Sequence, residues 1–156
     1  MSLRNSWTAV VLGLTIMVLA GCRQKAAFSH YEPVSLDGWG REDTIQFALG
    51  PVDEESSFSE MLGVRANLDF PFTSVSLIVE QEAMPSGTLR CDTLDIALIS
   101  EDGIPLGKGV SRFQYDIPLS TITLLSGETL FVNIRHNMKR EYLTGISDVG
   151  LTLTAQ

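Results

Sequence analysis

The 156-residue sequence is poor in the residues on which most metal and thiol chemistry depends, with two cysteines and two histidines. His30 and His136 are far apart, and neither Cys-x-x-Cys nor His-x-x-x-His spacing occurs. No zinc site is legible from such a set. A Gly-x-Ser-x-Gly elbow is also missing, and a chance trio of Ser, His and Asp carries no information. No catalytic residue is therefore assigned, and no cofactor is implied. Bases are scarce as well, with 11 Lys and Arg against 19 Asp and Glu. This balance excludes the basic footprint that nucleic-acid binding needs. It also argues against charge-driven adhesion to anionic lipid. Past the N-terminus no dozen-residue window shows the i, i+3, i+4 apolar spacing of a helix, and no internal repeat occurs.

The one long apolar run, residues 8–19, follows Arg4 and ends in Leu19-Ala20-Gly21-Cys22. A basic start, a short apolar core and small residues before a cleavage point are the parts of a secretory signal. The run falls short of the about 20 residues a membrane-spanning helix needs. Leu19-Ala20-Gly21-Cys22 also resembles the lipobox of bacterial lipoproteins. That resemblance implies cleavage before Cys22 and lipid on its thiol, so the membrane becomes a partner through Cys22. Two or more acyl chains hold a protein firmly, at about 0.8 kcal/mol per buried methylene. The expected organisation is a signal peptide with its helix over 1–21, a lipidated cysteine and tether over 22–30, and one domain over 31–156. Without Arg4 the mature chain has ten bases against nineteen acids, a formal charge of −9. With Cys22 lipidated, Cys91 has no partner in the chain, and a buried, inert thiol is expected there.

What the mature sequence does have is period-two alternation. Ile45, Phe47 and Leu49 fall on one face of their stretch, as do Val64, Ala66 and Leu68, and Val75, Leu77 and Val79. Leu94, Ile96 and Leu98 repeat the pattern, followed by Leu130, Val132 and Ile134, then Val149, Leu151 and Leu153. Such alternation marks half-buried antiparallel strands. Asp37-Gly38, Pro51, Pro71, Pro85-Ser86-Gly87, Glu101-Asp102-Gly103 and Ser126-Gly127 separate the runs. Ser126-Gly127 reads as a tight hairpin. The expected fold is all-β: an antiparallel β-sandwich, jelly-roll-like, of seven to nine short strands.

Individual side chains give weaker signals. His136 shares parity with Leu130, Val132 and Ile134, which predicts a partly buried structural histidine. Asp53-Glu54-Glu55 is an acidic loop without EF-hand spacing, so solvation is its default role. Residues 103–109 (GIPLGKG) mimic a phosphate loop but lead into strand-like sequence, so their glycines serve a tight turn or a close backbone passage. Trp39, flanked by Gly38 and Gly40, either closes one end of the core or is exposed for stacking a sugar or docking a partner.

Several short motifs in order carry a family resemblance. They run from the lipobox through His30-Tyr31, Gly38-Trp39 and Asp43-Thr44-Ile45-Gln46-Phe47 to Arg65-Ala66-Asn67 and Asp69-Phe70-Pro71-Phe72-Thr73-Ser74. Asp92-Thr93-Leu94 and Leu106-Gly107-Lys108-Gly109 follow, then Ile134-Arg135-His136-Asn137-Met138-Lys139 and residues 145–151 (GISDVGL). The series resembles the gliding-motility lipoprotein GldH family of Bacteroidetes across nearly the whole chain. The resemblance implies a non-enzymatic, lipid-anchored protein of the cell envelope, with the outer membrane as its expected address. Its implied partners are other envelope proteins of gliding or linked secretion machinery. The expected partner surface comprises the loops holding Trp39, Ile104, Leu106 and Lys108. A carbohydrate-binding lipoprotein using Trp39 is the rival expectation.

Overall fold

The computed structural model describes residues 26–156; the signal sequence, Cys22 and the start of the tether lie outside the described residues. Eight long strands form. They are β1 (Ala26–Pro33), β3 (Ile45–Leu49), β4 (Ser56–Asn67), β5 (Ser74–Met84), β6 (Thr88–Ala97), β8 (Arg112–Leu124), β9 (Thr129–His136) and β11 (Ile146–Ala155). Three two-residue strands, β2 (Trp39–Gly40), β7 (Lys108–Gly109) and β10 (Tyr142–Leu143), complete the set. One sheet has the order β1-β11-β4-β8-β7, the other β3-β9-β5-β6, and β10-β2 form a small separate pair.

The long-strand order is that of a jelly roll. β5 pairs with β6, β4 with β8, β3 with β9 and β1 with β11, all antiparallel. The chain is thus one long ribbon doubled back at the β5–β6 hairpin. The ribbon then wraps, so that β11 joins β4 and β9 joins β5. This agrees with the expected sandwich and supplies the pairing that alternation alone leaves open.

Alternation decides what the wrap buries. Leu62, Val64 and Ala66 of β4 and Val149, Leu151 and Leu153 of β11 face Val75, Leu77 and Val79 of β5 and Leu130, Val132 and Ile134 of β9 in one core. Leu68, by contrast, lies past the end of β4 and is exposed, because the chain turns there. On the outer face of the first sheet, Tyr31 of β1 lies across two glycines. A Cβ on Gly150 would sit 2.5 Å from its ring, and one on Gly63 2.6 Å from its Cζ. Arg65 stacks over the same ring at 3.9 Å, and Gln114 donates to its hydroxyl at 2.6 Å. Both glycines are needed for space, since the ring occupies the position of their missing side chains.

Three expectations are corrected. Residues 26–30, read as tether, belong to β1: Phe28 and His30 lie within the ladder to β11, and Phe28 packs edge-on against Phe47. Their period is hidden because an edge strand with a mostly exposed outer face has little to bury. Ser126-Gly127 is a turn, but β8 and β9 lie in different sheets, so it crosses between layers and closes no hairpin. Cys91 is exposed and unpaired, since it takes the outward parity of β6 while Arg90 and Asp92 take the inward one.

Replacing Gly63 with Ala is expected to lower stability by about 1–3 kcal/mol, the usual cost of overpacking. Urea unfolding checks this, and an unchanged midpoint would show that Tyr31 does not need the space.

Candidate functional site

The sandwich has two ends and two flanks. β1 begins at the lower end, together with loop 50–55, the turn after β8 and the β5–β6 hairpin. The upper end gathers the segments 34–44, 68–73, 98–111 and 137–145.

Trp39 lies at the upper end and is 2% exposed, which corrects its assignment to a partner surface. Its indole N–H donates to the Asp43 carbonyl at 2.9 Å, and its ring meets His136 edge-on at 5.5 Å. The His136 Nδ1 accepts from the Met138 N–H, so Nε2 carries the proton and donates to the Trp39 carbonyl at 3.1 Å. Burial holds the His136 pKa below its ordinary value, which favours the neutral ring as a structural plug. The glycines beside Trp39 serve the turn: Gly38 has a φ of 113°, where a side chain would be strained.

One flank is closed by aromatic rings. Phe28 and His30 of β1 both contact Phe47 of β3, at 6.3 and 6.4 Å between centroids. The opposite flank, between edge strand β6 and β8, is tied at a single level by polar groups. Glu60 of β4 and Gln81 of β5 both point into the core, and the Gln81 amide donates to Glu60 Oε1 at 2.5 Å. Arg90 of β6 reaches Glu60 Oε2 at 3.8 Å, Asp92 at 2.6 Å and the Ser120 hydroxyl on β8. Ser59 pairs with Thr121 and Met61 with Pro118, so a bulge sets Leu119 and Ser120 together opposite Glu60. Among the described residues, Glu60 Oε2 and Gln81 Oε1 find no hydrogen-bond partner. Desolvation raises the Glu60 pKa to about 6, against the smaller lowering by Gln81 and Arg90.

Above this tie the flank is open. A slot of ≈ 250 Å³ lies between Ile96 and Ala97 of β6 and Tyr115 and Ile117 of β8, with Leu106 and Lys108 at its rim. The loop over residues 98–111 is held there by several contacts, and the Leu98 and Ile99 N–H groups donate to the Thr73 carbonyl at 2.8 and 3.1 Å. Leu106 N–H donates to the Leu98 carbonyl at 2.9 Å, Ile99 bridges Pro105, and Tyr115 donates its hydroxyl to Leu98 at 3.0 Å. A Cβ on Gly107 would lie 2.8 Å from the Tyr115 ring, so this glycine permits a close passage, as its sequence context suggested. Ile104, Leu106 and Val110 are 62, 56 and 91% exposed on this loop. The structure therefore brings Ile104, Leu106 and Lys108 onto one exposed loop, two of them lining the slot, and leaves Trp39 apart from them.

Glu60, Gln81 and Arg90 were absent from the candidate residues. The signal was present as parity: Glu60 sits between Phe58 and Leu62, and Gln81 continues the row of Val75, Leu77 and Val79. Among the described residues, no group of three or more His, Cys, Asp or Glu side chains is gathered as metal ligands would be.

These features define a class, an all-β jelly-roll domain with one flank partly open. Comparison with known proteins then gives the family. The model of the GldH lipoprotein family matches residues 26–153, and the chain belongs to that family. It is 30% identical over 114 residues to the gliding motility lipoprotein GldH of Flavobacterium johnsoniae, covering 73% of this chain and 69% of that protein. It is 25% identical over 163 residues to a GldH homolog of Christiangramia forsetii, covering 97% of both. Among solved structures, an α-amino acid ester hydrolase aligns with a TM-score of 0.38 and 11% identity over 85% of this chain, which spans 31% of that enzyme's length. The Eiger TNF of S. frugiperda aligns with a TM-score of 0.33 and 10% identity, over 82% of this chain and 92% of that one. Likenesses this distant carry no argument about activity.

The pKa of Glu60 sets a test. Its folded value lies above that of the unfolded chain, so the folded state keeps a proton that the unfolded state loses between about pH 4.5 and 6. Its contribution is full below that window and is lost as pH rises through it. Glu60→Gln is expected to remove this loss, about 2 kcal/mol, and to flatten stability between pH 4.5 and 7. Urea midpoints across that range check it, and an unchanged slope in the variant would refute the assignment.

Proposed function

We propose that this chain is a lipid-anchored, non-enzymatic interaction subunit of gliding or linked secretion machinery, held at the outer membrane through Cys22. Membership of the GldH lipoprotein family over residues 26–153 carries this reading. The exposed loop with Ile104, Leu106 and Lys108 supports docking at the upper end of the open flank. The carbohydrate-binding alternative leaned on an exposed Trp39, and burial of that ring removes its carrying residue.

The anchor and the fold are consistent in direction. Four residues reach from Cys22 to Ala26, a span of at most about 14 Å. The lower end then faces the membrane, while Ile104, Leu106 and Val110 face away from it. Asp53, Glu54 and Glu55 are exposed at that lower end, so an anionic leaflet repels it and the domain stands off the surface.

Two experiments test the reading. Cys22→Ser is expected to shift the protein from the membrane to the soluble fraction on cell fractionation; retention in the membrane would refute the anchor. Leu106→Asp and Lys108→Glu are each expected to reduce the envelope proteins recovered after cross-linking several-fold, at normal protein levels. Unchanged recovery for both would remove this surface from the reading.

A further inference from the structure

We infer that the upper half of the open flank accepts an extended, basic strand from a partner protein, added to the edge of β6; this rests on the docking reading above. β6 is the outermost strand of its sheet, and its ten residues pair with β5 without a bulge. The other edges of the two large sheets each carry a feature that blocks strand addition. β3 is only five residues long and is followed by Gly50-Pro51. β1 closes against β3 through the Phe28 and His30 contacts with Phe47. β8 carries Pro118 and the bulge at Leu119 and Ser120, and its upper part is capped by β7.

Within β6 the lower half is also protected, because Arg90 and Asp92 are inward-pointing charges and Arg90 bridges to Ser120. Residues 93–97 have no such device. Beside them lies the slot of ≈ 250 Å³, with Ile96, Leu106 and Ile117 as its apolar lining. A strand added there continues the ladder through its backbone and sends every second side chain into the slot. Its chemistry follows from both faces: apolar at alternate positions for the slot, and cationic between them. Asp95 and Asp116 are exposed on the two strands and Glu101 and Asp102 on the loop, against two bases, Lys108 and Arg112, the second of which turns toward Asp148 at 3.9 Å.

A second copy of this chain does not meet those requirements. Antiparallel pairing of two β6 edges would place the two N-termini at opposite ends of the pair, so one membrane could not anchor both. It would also set two acidic rims against each other.

The probe is a fluorescein-labelled seven-residue peptide of alternating Lys and Val, with the full chain held in detergent. One control replaces every Lys with Glu, and a second keeps the composition but makes the valines contiguous. Fluorescence anisotropy is expected to show binding of the alternating Lys peptide and at least about tenfold weaker binding of both controls. Amide exchange is expected to slow at residues 93–97 on binding. Asp95→Lys and Leu106→Asp, both at exposed positions, are each expected to weaken binding about tenfold. Equal binding of the contiguous-valine peptide, no protection at 93–97, or indifference to both substitutions would overturn strand addition. A dimer in sedimentation that protects the same amides would assign the edge to a second copy and overturn it too. Loss of partner cross-links in the Leu106 variant without any peptide binding would leave docking standing and overturn only the added strand.

Discussion

Leu62, Val64, Leu77, Val79, Leu130, Val132, Ile134, Leu151 and Leu153 meet in one buried layer between two sheets, each 2% exposed or less. A one-residue slip in any of these strands would turn its row to water, so the layer fixes the register of the whole domain. It also sets a geometric demand. A sandwich made by wrapping a ribbon has two flanks where the layer would otherwise meet solvent, and each needs a seal.

The two seals differ in chemistry. On the β1–β3 side the Phe28 and Phe47 rings cover the layer, with the exposed His30 ring, bonded to Glu32, at their edge; this closure contributes through area and ring geometry. On the β6–β8 side the closure is the Arg90 tie to Glu60, Asp92 and Ser120. Burying Glu60 there costs desolvation; replacing Arg90 alone would leave the buried carboxylate without its cation, whereas Arg90 keeps Asp92 when Glu60 is replaced. A polar tie of this kind stabilises less than an apolar plug, but it stops at one level. The flank above it stays open, and the loop carrying Leu106 and Lys108 borders the opening rather than covering it.

The sequence displays the rows but not their neighbours. Alternation at Val75, Leu77 and Val79 is a local property, and it survives in the structure unchanged. The partners of those strands are set by closures spanning up to the length of the domain: Phe28 pairs with Leu153. No local pattern encodes such a pairing. Trp39 was ambiguous for a related reason. It sits in a two-residue strand, too short to have a parity, so only the His136 ring and the Asp43 carbonyl decide that it is inside. Glu60 had the opposite difficulty. Its parity was readable, but an acid on a core row reads as an interruption until Gln81 and Arg90 are seen converging on it from two other strands.

The same geometry connects the tether to the open flank. β1 enters the fold four residues past Cys22, at the lower end of the sheet that also contains β8. Because β1 is locked to β11 along its length, a pull on the N-terminus loads that sheet directly. With the anchor proposed at Cys22, at most about 14 Å of chain separates the lipid from the sheet that borders the opening between β6 and β8. A partner proposed to bind there searches a narrower range of heights than it would with a freely diffusing domain, which lowers the ordering cost of association. The proposed anchor, the early start of β1 and the position of the unsealed flank thus bear on one another, and the usefulness of each depends on the other two.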